Sequence, residues 1–301
     1  FRYDRTSGQT SLVSTDTSGT AADASSSGPH MSDDGDLVAF QSQADDLVAG
    51  ISSADPQIYL RSLSAGTTVL VSRTPAGQPG NGAASRPFVS ADGRYVTFSS
   101  AASDLVGDDH NDRIDAFVFD RVSQQLQRLS GGSSPSGGGG DAYGLSADGN
   151  LALFTSSADD LVGGTSGNHE RVYLRDRAAG TTRLIAAPGD SEGRGKSPAL
   201  SREGRYVAFV STAPSLLTPF DGEEAERIYV FDAATGSTRA LTYFSTPAAA
   251  FNTWQPRFSA DSRNIVFSST RGDLAPDGMP GISDIFLAPA ETDPIFSDTF
   301  Q

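Results

Sequence analysis

The sequence predicts an all-β fold of the β-propeller class, assembled from four-stranded blades. Three observations carry that expectation. Short apolar runs alternate with turn residues along a chain of 301 residues with 32 glycines and 16 prolines. One motif stands at five places along the chain. Each copy is followed by the same succession of strand-like segments, which marks a repeat architecture.

The motif reads MSDDGDLVAF at 31–40, VSADGRYVTF at 89–98, LSADGNLALF at 145–154, LSREGRYVAF at 200–209 and FSADSRNIVF at 258–267. Its serines, Ser32, Ser90, Ser146, Ser201 and Ser259, are spaced by 58, 56, 55 and 58 residues. Strand a of each unit is the segment leading into that serine, and an Asp-Gly turn joins it to strand b. Strand b ends in Phe40, Phe98, Phe154, Phe209 or Phe267. Strand c follows as QIYLRSL, AFVFDRV, RVYLRDR, RIYVFDA and DIFLAPA, and strand d as TTVLVS, QLQRLS, TTRLIA and STRALT. Alternating apolar residues on b and c suit burial on two sides between stacked sheets. Four antiparallel strands repeated radially make a propeller. A solenoid of the same period would favour one long parallel strand per turn over hairpins.

The opening FRYDRTSGQTSLVST matches FVFDRVSQQLQRLS at 117–130, so Phe1 aligns with Phe117 and the chain opens at strand c. Strands a and b of that blade, 27 residues by the register (117 minus 90), are expected upstream. The reading is six blades in a single domain over 1–290, with units at 1–27 (partial), 28–85, 86–140, 141–196, 197–254 and 255–290. The alternative is five blades, with the N-terminal strand completing the last sheet. Residues 291–301 form a C-terminal tail or a closing strand, because DPIFSDTF falls where strand d is due.

The pattern P-x-x-S-x-D-G-x-x-[IV]-[AT]-F, followed by I-[YF]-[VL] and a d strand, resembles the TolB-like, WD40-like (PD40) propeller repeat. Pro87, Ser90, Asp92, Gly93, Val96, Thr97 and Phe98 carry it here, and the other units carry it similarly. DLVGDDHNDRID at 104–115 resembles a longer variant of the repeat, D-L-V-x-G-D-x-N-G-x-x-D. The likeness covers nearly the whole chain. It implies a non-catalytic, periplasmic or secreted bacterial propeller that binds a protein or peptide. Related propellers also cover serine hydrolases, and some are enzymes. The alternatives are therefore an enzyme acting on glycan or peptide, or the cover of a hydrolase whose catalytic domain is absent. Fold alone does not choose among them. The ending DPIFSDTFQ resembles short C-terminal tails of exported Gram-negative proteins.

A net charge of −15 argues against nucleic acid, whose phosphates demand a basic face. It argues equally against an anionic membrane surface. No cysteine is present, so thiol catalysis, disulfides and thiolate metal sites are excluded. No apolar run approaches the roughly 18 residues of a membrane span. The expectation is an exported monomer, periplasmic or extracellular. The chain has neither an initiator methionine nor a signal peptide, as a mature form or a fragment would.

The candidate chemistry sorts by recurrence. Asp34, Asp92, Asp148, Glu203 and Asp261 recur at the a–b turn, and a glycine follows all but the last, where Ser262 stands. They read as turn chemistry, with Ser262 marking a turn that could differ. Ser42, Ser100, Ser156, Ser211 and Ser269 recur after strand b. A nucleophilic serine needs a base within reach, and the histidines, His30, His110 and His169, lie in no hydrolase motif. These serines read as backbone partners. GGSSPSGGGGD at 131–141 follows no strand-to-helix unit and reads as a flexible d–a connection rather than a phosphate cradle.

The b–c loop at 104–115 is the strongest local candidate. Asp109, Asn111 and Asp115 stand at i, i+2 and i+6, oxygen ligands at a spacing that can wrap Ca²⁺. The EF-hand glycine and distal glutamate are absent, and the competing reading is a loop tied by its own aspartates. No cofactor is required; Ca²⁺ is the ion this loop could take. The b–c and d–a loops are long and acidic, whereas the a–b and c–d turns are tight. Long-loop residues Asp108, Asp112, Asp160, Asp221 and Glu223, with Trp254, form the candidate binding face. An enzyme would instead draw on His30, Arg86, Tyr143 and Arg257 around strand a, which make no recognisable set.

Overall fold

The structure is a computed structural model that describes residues 1–131, 138–163, 170–185, 195–211, 226–242, 253–270, 274 and 283–290. Among these residues there is no α-helix. The first sheet pairs β1 (Arg2–Asp4) with β2 (Gln9–Ser11). Four four-stranded sheets follow. They are β3 (Ser26–Met31) to β6 (Thr67–Leu70), with β4 (Leu37–Ser42) and β5 (Gln57–Ser62); and β7 (Ala84–Val89) to β10 (Gln125–Arg128), with β8 (Tyr95–Ser100) and β9 (Asp115–Asp120). Next come β11 (Ala142–Leu145) to β14 (Thr181–Leu184), with β12 (Leu151–Ser156) and β13 (Arg171–Asp176); and β15 (Lys196–Leu200) to β18 (Ser237–Ala240), with β16 (Tyr206–Ser211) and β17 (Arg227–Asp232). A last sheet holds β19 (Thr253–Phe258), β20 (Asn264–Ser269) and β21 (Asp284–Pro289). Strand order within each sheet is sequence order, so every sheet is an antiparallel meander of the expected a-b-c-d kind. The place of strand d in the last unit, at 291–301, lies outside the described residues.

The chain packs as two compact units, Phe1–Ala142 and Tyr143–Gln301, divided two residues beyond the repeat boundary expected between 140 and 141. In the first unit, one face of β4 and β5 places Leu37, Ala39, Ile58 and Leu60 against Val96, Phe98, Phe117 and Phe119 of the next sheet. The opposite face places Val38, Phe40 and Tyr59 with Val13. The second unit repeats the scheme: Leu153, Val172 and Leu174 meet Val207, Phe209, Tyr229 and Phe231. On the far side, Ala208, Val210 and Ile228 meet Ile265 and Phe267. Successive side chains of a strand point to opposite faces, so a run such as LVAF is buried on both. Across each b–c ladder two aromatic rings stack: Phe40–Tyr59, Phe98–Phe117, Phe154–Tyr173, Phe209–Tyr229 and Phe267–Phe286, with centroids 5.5 to 6.0 Å apart.

Strand a carries a feature that the motif only hinted at. Gly28, Arg86, Ser197 and Gln255 hold φ of 58°, 54°, 50° and 53°, each immediately before a proline: Pro29, Pro87, Pro198 and Pro256. The ladder register shifts at the same points. Proline cannot donate to the ladder, and a bulge accommodates it. Within the first unit β3 and β7 lie side by side, and the Val89 N–H donates to His30 Nδ1 at 3.1 Å.

Candidate functional site

The recurrent a–b turn is scaffold. Ser32, Ser90, Ser146 and Ser259 donate to Asp34, Asp92, Asp148 and Asp261, each at 2.6 Å. The same serine oxygens accept the N–H of Leu37, Tyr95, Leu151 and Asn264 at 2.9 to 3.0 Å. Hydrogen bonds from Ser32, Ser146 and Ser259 are the leading cause that holds the Asp34, Asp148 and Asp261 carboxyls below the usual carboxylate range. The turn glycines Gly35, Gly93, Gly149 and Gly204 lie at φ of 67° to 77°. Ser262 takes φ 59°, so the turn expected to differ keeps the same left-handed backbone, now in a residue with a side chain.

The serines after strand b are buried, and three of them bond main-chain groups, Ser42 also accepting the Ser26 hydroxyl at 3.0 Å. Ser42 donates to the Ser25 carbonyl and Ser100 to that of Ala83. Ser42, Ser100 and Ser156 accept the N–H two residues on, from Ala44, Ala102 and Ala158, at 3.1 Å.

The 104–115 loop brings its three predicted ligands together. Asp109 and Asp115 are buried, and Asn111 Nδ2 donates to Asp115 Oδ2 at 2.8 Å. What the two carboxylates face is an arginine that the sequence reading did not single out. Arg128, at the end of β10, places Nη1 3.0 Å from Asp109 Oδ1 and 3.7 Å from Asp115 Oδ2, with its side chain 3% exposed. Ser130 donates to Asp115 Oδ1 and accepts the Ala116 N–H at 2.9 Å. Burial pushes the Asp115 carboxyl up to about 6; bonds from Ser130 and Asn111 and the Arg128 charge pull down, and the Asp109 charge pushes up. A divalent ion here would compete with a guanidinium already seated between the carboxylates. Asp109 Oδ2 is buried with no hydrogen-bond partner.

The glycine-rich connection takes part in this cluster at its two ends. A Cβ on Gly131 would sit 2.3 Å from Arg128 Nε, and one on Gly139 would sit 2.2 Å from the Ile114 carbonyl oxygen. The Gly140 N–H donates to that same carbonyl at 2.7 Å. These glycines let chain pack over the loop, a role that reading the segment as a flexible spacer missed. Residues 132–137 lie outside the described residues.

The long loops spend part of their acid on themselves. Asp45 accepts the Ser53 N–H, Asp46 the Asp23 N–H, and Asp104 the Asn81 N–H, at 2.9 to 3.0 Å. Asp108, Asp112 and Asp160 are exposed. Asp221, Glu223 and His169 lie outside the described residues. Trp254, grouped with the long-loop residues in the candidate binding face, falls inside β19 opposite Ser268. Among the other candidates, His30 is engaged with Val89, and burial lowers its basicity. Arg86 stands 3.7 Å from Asp141, and Arg257 donates to the Pro256 carbonyl at 2.9 Å. Among the described residues, no three His, Asp or Glu side chains are placed to hold a metal ion.

No family model matches the chain, and no curated protein matches it. Solved structures do. A putative TolB from Agrobacterium tumefaciens superposes with TM-score 0.51 at 16% identity, over 88% of this chain and 82% of that one. The β-propeller domain of the trilobed protease from Pyrococcus furiosus, described with an open velcro topology, gives 0.53 at 12% identity, over 91% and 71%. An oligogalacturonate lyase from Vibrio parahaemolyticus gives 0.52 at 12% identity, over 88% and 66%. The chain spans 56% of the length of a TolB from Acinetobacter baumannii, at 20% identity and TM-score 0.49 over 90% of this chain. Identities this low speak to fold, and the meander sheets, the two-sided cores and the superpositions with TM-scores of 0.51 to 0.53 agree that the chain is a β-propeller with the fold seen in TolB.

Proposed function

We propose that this chain is a non-catalytic scaffold, exported to the periplasm or cell exterior, that receives a protein or peptide partner on its long-loop edge. The observation that carries the reading is an asymmetry between the two ends of each sheet. The a–b and c–d connections are short and locked by serine, aspartate and glycine, as at 32–36 and 63–66. The b–c and d–a connections, as at 101–114 and 71–83, are long and carry exposed Asp108 and Asp112. Long loops on a rigid scaffold are the usual carriers of binding. Recurrent serines and aspartates that could have suggested catalysis are engaged in holding turns. Calcium is no necessary part of this proposal, because Arg128 already faces the Asp109 and Asp115 carboxylates.

The test is affinity capture from a native envelope fraction with the full-length protein as bait. Joint charge reversal, Asp108→Lys with Asp112→Lys, is expected to strip the captured partner, while Asp92→Asn at the other end of the sheet leaves capture intact. The opposite pattern rejects the assignment of the face.

A further inference from the structure

We propose that the first unit also carries a groove on its outer rim, between the second and third sheets, that binds the free C-terminal carboxylate of an extended aliphatic peptide through Arg73. The cavity holds about 610 Å³, within the range of small-ligand sites. Arg73 and Pro75, from the connection after β6, form one wall. Leu105 and Val106 of the b–c loop form another, and Gln124 and Leu126 at the start of β10 form the third. β10 is the outermost strand of its sheet, so among the described residues one of its edges has no strand paired to it. Such an edge can accept an extended segment through main-chain bonds, with pockets reading alternate side chains.

Charge selects the ligand. The chain carries −15 overall, yet among the described residues no carboxylate lines this cavity, and Arg73 is its one charged residue. Among the described residues Arg73 has no ion-pair partner; its guanidinium lies 5.3 Å from the centroid of the Phe119 ring and donates to Gln124 Oε1. Arg183 makes the equivalent ring contact in the second unit, over Phe231, but spends Nη1 on the Ala233 carbonyl at 3.1 Å. Gln124 is itself an exception. The other described c–d turns place Gly8, Gly66, Gly180 and Gly236 in the left-handed region, and this turn places a glutamine there, at φ 61°. A side chain held in that conformation carries a cost, and such strain gathers where a side chain has a task. Here the side chain tethers the arginine. Leu105, Val106 and Leu126 then offer an aliphatic surface beside a fixed guanidinium, which suits a terminal Val, Leu or Ile bearing its α-carboxylate.

The groove takes Arg73, Leu105 and Val106 from connections that the loop-face reading also uses, but the two readings rest on different charged residues, Arg73 here and Asp108 with Asp112 there, so either can fail alone. The experiment uses the full chain and two pools of N-acetylated hexapeptides ending in Val, Leu or Ile, one with free carboxylates and one amidated, with affinities measured by titration. The acids are expected to bind about tenfold to a hundredfold tighter than the amides, the loss of one charge-assisted bond. Arg73→Met should erase that discrimination, and Arg183→Met should preserve it. If Arg73→Met does not fold, Gln124→Gly, which keeps the turn and removes the tether, should reduce the discrimination. The proposal is overturned if wild-type chain binds no acid peptide, if acids and amides bind alike, or if discrimination survives in Arg73→Met or, where that variant does not fold, stays undiminished in Gln124→Gly.

Discussion

Arg128→Met tests whether an arginine is the cation of the 104–115 loop. The side chains of Arg128, Asp109 and Asp115 are 3%, 1% and 0% exposed, so the substitution leaves two carboxylates buried without their counter-charge. Breaking a buried pair from one side costs about 3–5 kcal/mol. The loss must depend on pH. A carboxyl raised from 3.8 to about 6 binds its proton more tightly folded than unfolded. The resulting penalty on folding is absent below the unfolded value, grows as pH rises through about 6, and is full above it, at about 3 kcal/mol. Without Arg128 one influence that lowers this value is gone, so the penalty, which still begins at the unfolded value, goes on growing to a higher pH, and the extra loss appears above about pH 6. Urea unfolding followed by circular dichroism should therefore show a loss of about 3–5 kcal/mol at pH 8. At pH 5, where Asp115 carries its proton, the loss should be smaller by about 1 kcal/mol or more. An equal loss at both values refutes the reasoning. So does a calcium-dependent gain in wild-type stability that Asp109→Ala abolishes, because the carboxylates would then prefer the ion to the arginine.

Two further substitutions probe the scaffold under the loops. Gly93 has φ 70°, and a Cβ there would lie 2.2 Å from Leu37 Cδ1 on the neighbouring sheet, whereas Gly66 has φ 65° and open space. Gly66→Ala should cost about 1–2 kcal/mol for the backbone alone, and Gly93→Ala about 1–3 kcal/mol more for overpacking; equal losses in denaturant melts would reject the contact between sheets. Ser262→Gly should stabilise the chain by about 1 kcal/mol by relieving a left-handed serine, and a loss would mean that the hydroxyl, which accepts the Arg202 N–H at 3.1 Å, outweighs the strain.

The sheets were legible because their chemistry repeats. Phe40, Phe98, Phe154, Phe209 and Phe267 recur one per unit, and each stacks on the aromatic of strand c that the spacing brought opposite it. The serine of each a–b turn recurs for an equally local reason, since it caps the first N–H of strand b. The bulge on strand a was not legible as a bulge. Its proline was visible, but the left-handed residue before it differs in type, as Gly28, Arg86, Ser197 and Gln255, and only the first advertises positive φ. The contact of Gly93 with Leu37 was hidden too, because it joins one repeat to the next, and a repeat alignment shows what units share rather than what they touch.

The loop site divides along the same line. Local spacing placed Asp109, Asn111 and Asp115 together, and they are together. It could not supply Arg128, which arrives from strand d after a full hairpin, nor Ser130, which follows it. A signal for Ser130 did exist. A hydroxyl stands fourteen residues beyond the second residue of strand c in three units: Ser72 accepts the Ile58 N–H at 2.8 Å, Ser130 that of Ala116 at 2.9 Å, and Thr242 that of Ile228 at 3.2 Å. That recurrence marks a scaffold bond. The residue just before each of those N–H groups varies: it is Gln57, Asp115 and Arg227, with Arg171 in the remaining complete unit, all buried. One backbone position thus presents an amide, an acid or a guanidinium at the same buried end of strand c. In a repeat protein the constant polar residues explain the fold, and the variable buried ones are where units acquire separate properties. By that criterion Asp115 with its arginine, and Gln124 among four glycines, are the positions at which the third sheet has become unlike its neighbours, and they frame opposite ends of the same outer strand.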